Sequence, residues 1–257
     1  MASRVAARFV RASGARPLVL GHRGARHAAP ENTFAAFELA RREGADGVEL
    51  DVRLDGSGRV VVIHDRDLVR VTDGRSRARV DGLSTSELSA LDVGQGERVP
   101  LLADVLAWAR EHDLVVNVEV KSDVREQKRV LDGVASELAR AHELGSLVIA
   151  SSFHPGFVRV LALRLPEIPV CWLMHDRQLV FRRAPGWKLL GASGVHPQHT
   201  LLSSTGVRSF RASGALVGTW TVNDPAFARA YARFGVDVII TDAPARILEA
   251  LADIPLP

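Results

Sequence analysis

Cysteine is almost missing from this 257-residue chain: a single Cys171 sits in the apolar run Pro169–Met174. One thiol excludes an internal disulfide framework, and burial among apolar neighbours makes it a small core residue, so a reducing, cytoplasmic setting is expected. Aromatic residues are scarce at 5%, with one tyrosine. No hydrophobic run approaches the roughly 20 residues that cross a bilayer, so stable membrane insertion is not expected. H-E-x-x-H, cysteine-rich spacings and G-x-S-x-G are absent as well. Those absences argue against a zinc centre of these kinds and against a nucleophilic-serine elbow.

Acidic residues are missing from one region only. Residues 1 to 30 hold six arginines and no acid, which leaves 27 basic residues against 30 acidic ones in the remainder, although the whole chain carries +3. The basic character therefore belongs partly to an arginine-rich leader. Arg4, Arg8 and Arg11 interrupt any apolar stretch of the kind a secretory signal needs. Residues 1–16 read as a flexible leader, with an organellar transit peptide as the other reading. No basic stripe interleaved with aromatics occurs, so nucleic-acid binding is not expected.

What the chain does have is a 47% hydrophobic content, enough for a large core in one domain spanning 1–257. Two runs, Asp46–Leu54 and Leu114–Lys121, set polar residues at alternate positions of apolar stretches. In a strand Glu49, Asp51 and Arg53 share one face and Val48, Leu50 and Val52 the other, and Asn117, Glu119 and Lys121 repeat the pattern. An antiparallel sheet with one wet face would produce the same alternation. Here the strand-like runs alternate with helix-like ones, which implies a parallel sheet covered on both faces, where carboxylates need partners.

The segment from Pro17 to Gly21 reads as a first strand, followed by a helix over Asn32–Glu43 with Asn32 as N-cap and Gly44 as stop. Arg59–His64 reads as a hairpin-like extension of the Asp46–Leu54 strand through the turn at Asp55–Gly58. Residues 65–98 are charged and turn-rich and read as an insertion carrying a short helix at Ser84–Leu91, with Ser84 and Glu87 forming a capping box. Strands at Leu147–Ser152, Pro169–Met174, Ala192–His196, Ala215–Thr221 and Val236–Thr241 follow. Helices fit between and after them, His199–Phe210, Pro225–Phe234 and Pro244–Leu251 being the clearest. Without the extension this makes eight strands, the number of an α/β (β/α)8 TIM barrel. Barrel sites lie at the carboxyl ends of strands, where His22, Arg23, Glu49, Asp51, His64, Glu119 and Lys121 all fall.

The motifs G21-H-R-G24, P30-E-N-T33, D46-G-V-E-L-D51, H64-D65 and E119-V-K121, continued by S151-S-F153, W220-T-V-N223 and G235–D242, together resemble the glycerophosphodiester phosphodiesterases. The likeness runs from the first strand to the last. Asp55 departs from it, standing where such proteins often have threonine.

The resemblance implies a metal-dependent hydrolase that cleaves glycerophosphodiesters such as glycerophosphocholine or glycerophosphoethanolamine to glycerol 3-phosphate and an alcohol. Glu49, Asp51 and Glu119 would be hard oxygen ligands for Mg2+ or Ca2+. Arg23 and Lys121 would bind the substrate phosphate, and His22 and His64 would share acid and base duty. In similar enzymes the substrate's adjacent hydroxyl attacks phosphorus first, which requires a free vicinal hydroxyl. Phe153, His196 and Trp220 are candidates for the pocket wall. Helix capping is reason enough for Asn32, and Glu31 is left outside the catalytic set. Surface ion pairs of Glu49 with Arg53 and of Glu119 with Lys121 are the plainer account of those charges. Two other functions remain open at this point: a lysophospholipase D or sphingomyelinase D-like lipid phosphodiesterase, and a non-catalytic barrel that binds phosphorylated ligands.

Overall fold

The computed structural model describes residues 9–177 and 186–255. Strands β1 (Leu18–His22), β2 (Gly47–Leu54), β4 (Val115–Val120), β5 (Leu147–Ser152), β6 (Val170–Met174), β7 (Gly194–Pro197), β8 (Leu216–Thr219) and β9 (Val238–Thr241) run parallel. Pairing of β1 with both β2 and β9 closes them into an eight-stranded barrel. The extension β3 (Val60–Val62) lies antiparallel on β2. The layer outside the barrel holds α1 (Phe34–Arg42), α3 (Leu102–Glu111), α4 (Gln127–Glu143), α5 (Pro155–Arg164), α6 (Gly186–Leu189), α7 (Ser204–Ala212), α8 (Pro225–Phe234) and α9 (Pro244–Leu251). The short α2 (Thr85–Ala90) belongs to the insertion.

Strand parity sorts the apolar residues into two cores. Val48, Leu50, Val52, Val116 and Val118 pack outward among the helices. Leu20, Val115, Ile149, Cys171, Leu216, Val238 and Ile240 fill the lumen. A third cluster, with Val61, Ile63, Leu68, Val80, Leu88 and Val99, gives the insertion its own small core. The Ser84–Glu87 capping box forms as the sequence implies. Asp55 has a local duty: it accepts from the Arg59 N–H at 2.8 Å and from the Thr85 hydroxyl, which closes the β2–β3 turn and ties α2 to it.

Three sequence expectations change. The leader is anchored from Phe9 onward, with residues 1–8 outside the described part. Phe9 is only 5% exposed in the lumen cluster, Arg11 donates to Ala232 O at 2.9 Å and Arg16 pairs bidentately with Asp46. An apolar ring gains by leaving water, and the flanking arginines reach carbonyl and carboxylate oxygens at the amino ends of the strands. The first helix is capped by Thr33, whose hydroxyl accepts from Ala36 N, and not by Asn32. The stretch His199–Phe210 divides into a 3-10 turn at His199–Leu201 and α7, because Ser203 caps a new start by accepting from Gly206 N.

Candidate active site

Glu49 and Asp51 lie on the lumen face of β2 and Glu119 on that of β4, where the register sets Asp51 beside Glu119. Their oxygens come within 4.8 Å of one another, and the residues are 4%, 1% and 8% exposed. Three carboxylates this close and this dry need cations. Lys121, two residues after Glu119 and just past the end of β4, places Nζ 2.7 Å from Asp51 Oδ1 and 2.6 Å from Glu119 Oε1. It is a buried bridge, not the surface pair that the sequence left open.

Arg23 enters from the β1–α1 loop. Its backbone N–H donates to Glu49 O at 2.8 Å, and its guanidinium stands 3.1 Å from Asp51 Oδ2 and 2.8 Å from Glu31 Oε1. Arg23 adopts φ 57 and Gly24 follows at φ 85, where a Cβ would lie 2.5 Å from the α1 backbone at Ala36. Only glycine allows the loop to turn back so tightly. Asn32 also has φ 57, and its amide donates to Asp51 Oδ2 at 2.9 Å. Left-handed backbone is tolerated by Asn, and here it aims the side chain at the carboxylates.

Burial pushes the Asp51 pKa up, but Lys121 and Arg23 outweigh it and hold this carboxyl well below the usual range. Burial raises Glu49 strongly, with Asp51 and Glu119 adding to the effect. It also raises Glu119, which Lys121 only partly offsets. The group therefore holds more negative charge than its two cations balance. Hard oxygen donors in a buried cluster with an anionic surplus fit a divalent cation, which Glu49, Asp51 and Glu119 would hold.

The two histidines are held alike. His22 Nδ1 lies 2.7 Å from Asp242 Oδ1, and His64 Nδ1 lies 2.6 Å from Asp65 Oδ1. In each, the bonded Nδ1 leaves Nε2 as the other proton-exchanging atom, and His22 Nε2 is 4.0 Å from Glu49 Oε2. Burial lowers both histidine pKa values, while Asp242 opposes the change at His22 and Asp51 opposes it at His64. A wider net supports the pair: Asp242 also meets Arg26 and Asn223, Asp65 meets Arg70, and Arg70 reaches Glu31 at 2.7 Å.

A cavity of about 190 Å³ is lined by His22, Arg23, Glu49, His64, Glu119 and Lys121 on one side and Phe153, Leu173, Trp220 and Ile240 on the other. Phe153 and Trp220 meet edge to face at 5.3 Å. His196 is not among the lining residues. It is fully buried, its ring fills the space over Gly218, where a Cβ would lie 2.5 Å away, and its carbonyl accepts from Trp220 Nε1 at 2.8 Å. Burial pushes its pKa down to about 4.

Arg53 does not pair with Glu49 as the sequence allowed. It bonds His64 O and Asp123 instead. Sequence reasoning assigned no role to Asp65 and Asp242, though both stood inside the quoted motifs, and it set Glu31 and Asn32 aside. The one available signal was a carboxylate following His64 directly; nothing local connects Asp242 with His22.

Residues 22–246 match the Glycerophosphoryl diester phosphodiesterase family. A glycerophosphodiester phosphodiesterase of Caldanaerobacter subterraneus is 31% identical over 246 residues, covering 90% of this chain and 96% of that protein. Among solved structures, an Oleispira antarctica phosphodiesterase in complex with the product sn-glycerol-3-phosphate superimposes with a TM-score of 0.83 at 28% identity, over 93% of this chain and 98% of that one. The glycerophosphodiester phosphodiesterase of Agrobacterium tumefaciens gives a TM-score of 0.76 at 28% identity, over 91% and 99%. With the fold, the acidic cluster and the family match in agreement, this chain belongs to the glycerophosphoryl diester phosphodiesterase family.

Proposed function

We propose that this protein hydrolyses small glycerophosphodiesters, such as glycerophosphocholine or glycerophosphoethanolamine, to glycerol 3-phosphate and an alcohol, with His22 and His64 transferring the protons. The carrying observation is that two carboxylate-held histidines, Glu49 and Glu119 line one cavity whose opposite wall is apolar, with the buried Asp51 carboxylate within 4.8 Å of both acids. The Oleispira phosphodiesterase binding sn-glycerol-3-phosphate supports the glycerol phosphate product.

A phosphodiester is anionic, and its transition state gathers more negative charge on the equatorial oxygens. Arg23 offers a planar fork and Lys121 a point charge to those oxygens. A divalent ion held by Glu49, Asp51 and Glu119 would neutralise phosphate charge and act as a Lewis acid. In the first step one histidine takes the proton of the glycerol hydroxyl next to the phosphate as that oxygen attacks phosphorus. The other histidine protonates the departing alcohol oxygen as its bond to phosphorus breaks. In the second step the roles reverse: water loses a proton to the histidine that acted as acid, its oxygen opens the cyclic phosphate, and the displaced glycerol oxygen regains a proton. Phe153, Leu173, Trp220 and Ile240 border the same space and give it an apolar wall.

Hydrolysis of glycerophosphocholine and lysophosphatidylcholine, measured side by side with and without a chelator, tests the reading. Faster turnover of the first is expected, lost with the chelator. Faster turnover of the second would assign a lipid-directed phosphodiesterase, and no turnover of either with Mg2+ or Ca2+ supplied would assign a binding barrel. His22→Ala and His64→Ala are each expected to abolish nearly all activity in a folded protein. Retained activity in both would refute the proton roles.

A further inference from the structure

Arg53 follows Asp51 by two positions on β2, so it occupies the same face one step nearer the mouth of the barrel. Its residue is 4% exposed, which is unusual for arginine and demands partners. Nε donates to His64 O at 2.8 Å and NH2 to Asp123 Oδ1 at 2.7 Å, with Asp123 O a further 3.4 Å acceptor. Asp123 belongs to the loop that leaves β4 just after Lys121. One guanidinium thus joins the strand bearing Glu49 and Asp51, the peptide of His64 and the loop beyond Glu119 and Lys121.

His64 needs such a support. The β2–β3 ladder ends at the Val52–Val62 pair, and beyond it the last rung is Ile63 N–H to Asp51 O at 2.9 Å. His64 is the first residue past that rung. Its ring is held from the outside by Asp65, itself bonded by the half-exposed Arg70. Arg53 grips the main chain from the inside.

We infer that Arg53 is a positioning residue for the reaction, fixing the His64 peptide so that the imidazole stays aligned over the carboxylate cluster. The inference rests on the proposed proton-transfer role of His64. A plain structural ion pair with Asp123 accounts for it less well, because Asp123 is 57% exposed on its side chain and solvent screens that contact. The buried bond is the one to His64 O. The geometry also favours arginine: its planar fork sends Nε to His64 O and NH2 to Asp123 at once, an arrangement that the compact lysine ammonium does not reproduce.

Arg53 also lines a solvent-connected cavity of about 140 Å³, together with Asp123, Arg66, Arg79, Asp81 and Arg129. The charges there are largely matched, Arg79 with Asp81 and Arg129 with the neighbouring Glu126. The cavity therefore serves as a route by which a small cation reaches the place of a truncated Arg53.

The test uses the full chain with its divalent ion and glycerophosphocholine. Arg53→Ala is expected to lower kcat by about tenfold or more with KM unchanged within about twofold, since misplacing a proton donor costs the chemical step and not binding. Arg53→Lys should fall between the two, and millimolar guanidinium should restore part of the Arg53→Ala loss in a saturable way. On a His64→Ala background Arg53→Lys should cost nothing further. Unchanged kcat in Arg53→Ala, or a loss confined to KM, overturns the inference. Should Arg53→Ala not fold, Arg53→Lys decides: wild-type kcat overturns the inference, whereas a kcat loss that vanishes on the His64→Ala background upholds it. Full activity in His64→Ala alone would instead show that the proton-transfer reading had failed.

Discussion

His22 Nδ1 lies 2.7 Å from Asp242 Oδ1, a contact between residues 220 positions apart in the chain. Barrel closure makes it: β1 pairs with β9, in register through Gly21 and Thr241, so the residues that follow those two positions stand side by side. The carboxylate selects the tautomer that carries its proton on Nδ1 and directs Nε2 into the site.

Asp242→Asn tests that relationship through pH. Burial lowers the His22 pKa and Asp242 raises it, so removing the charge lets the pKa fall further. The limb of the kcat/KM profile that reports His22 is expected to move to lower pH, with kcat reduced on the order of tenfold or more. A limb that stays in place, or moves upward, would count against the dyad.

The acidic cluster predicts cation linkage without reference to turnover. Mg2+ or Ca2+ at about a hundredfold excess over Kd should stabilise the fold by roughly 2.7 kcal/mol, visible as a rise in thermal midpoint. Glu49→Gln and Glu119→Gln should each weaken that rise. Because burial raises both carboxyls, and a carboxyl must shed its proton to act as ligand, the stabilisation should fade as pH drops. An equal rise in the Glu49→Gln/Glu119→Gln double variant would place the ion elsewhere.

Asn32→Ala removes an amide that bonds Asp51 and puts a Cβ-bearing residue with no local hydrogen bond at φ 57. The expected cost is about 1–3 kcal/mol in denaturant unfolding, together with lower kcat. Asn32→Gly keeps the backbone freedom and loses only the amide. Comparable stability in all three proteins would show that the bond to Asp51 contributes little.

Much of the scaffold was legible because its signals are local. Alternation along β2 and β4 placed Glu49, Asp51 and Glu119 on one face, the Ser84–Glu87 capping box gave α2, and strand β5 with helices α8 and α9 appear at the expected bounds. The misreadings are instructive. Asn32 and Thr33 are both good N-caps by type, and the choice fell to Thr33 because the turn at Asn32 aims its side chain at Asp51. Shared parity on β2 allows Arg53 an ion pair with Glu49, whereas its partners come from two other segments. His196 lies inside β7 and its ring fills the lumen over Gly218, whereas Trp220 follows the end of β8 and borders the cavity.

By itself the order of residues determined the eight-stranded barrel and the side of each strand that carries charge, because strand and helix periods act over a few neighbours. Only the closed tertiary structure decided that Asp242 holds His22, that Arg53 holds the His64 peptide and that Phe9 plugs the lumen. Those pairings depend on register and closure, which bring together residues separated by most of the chain.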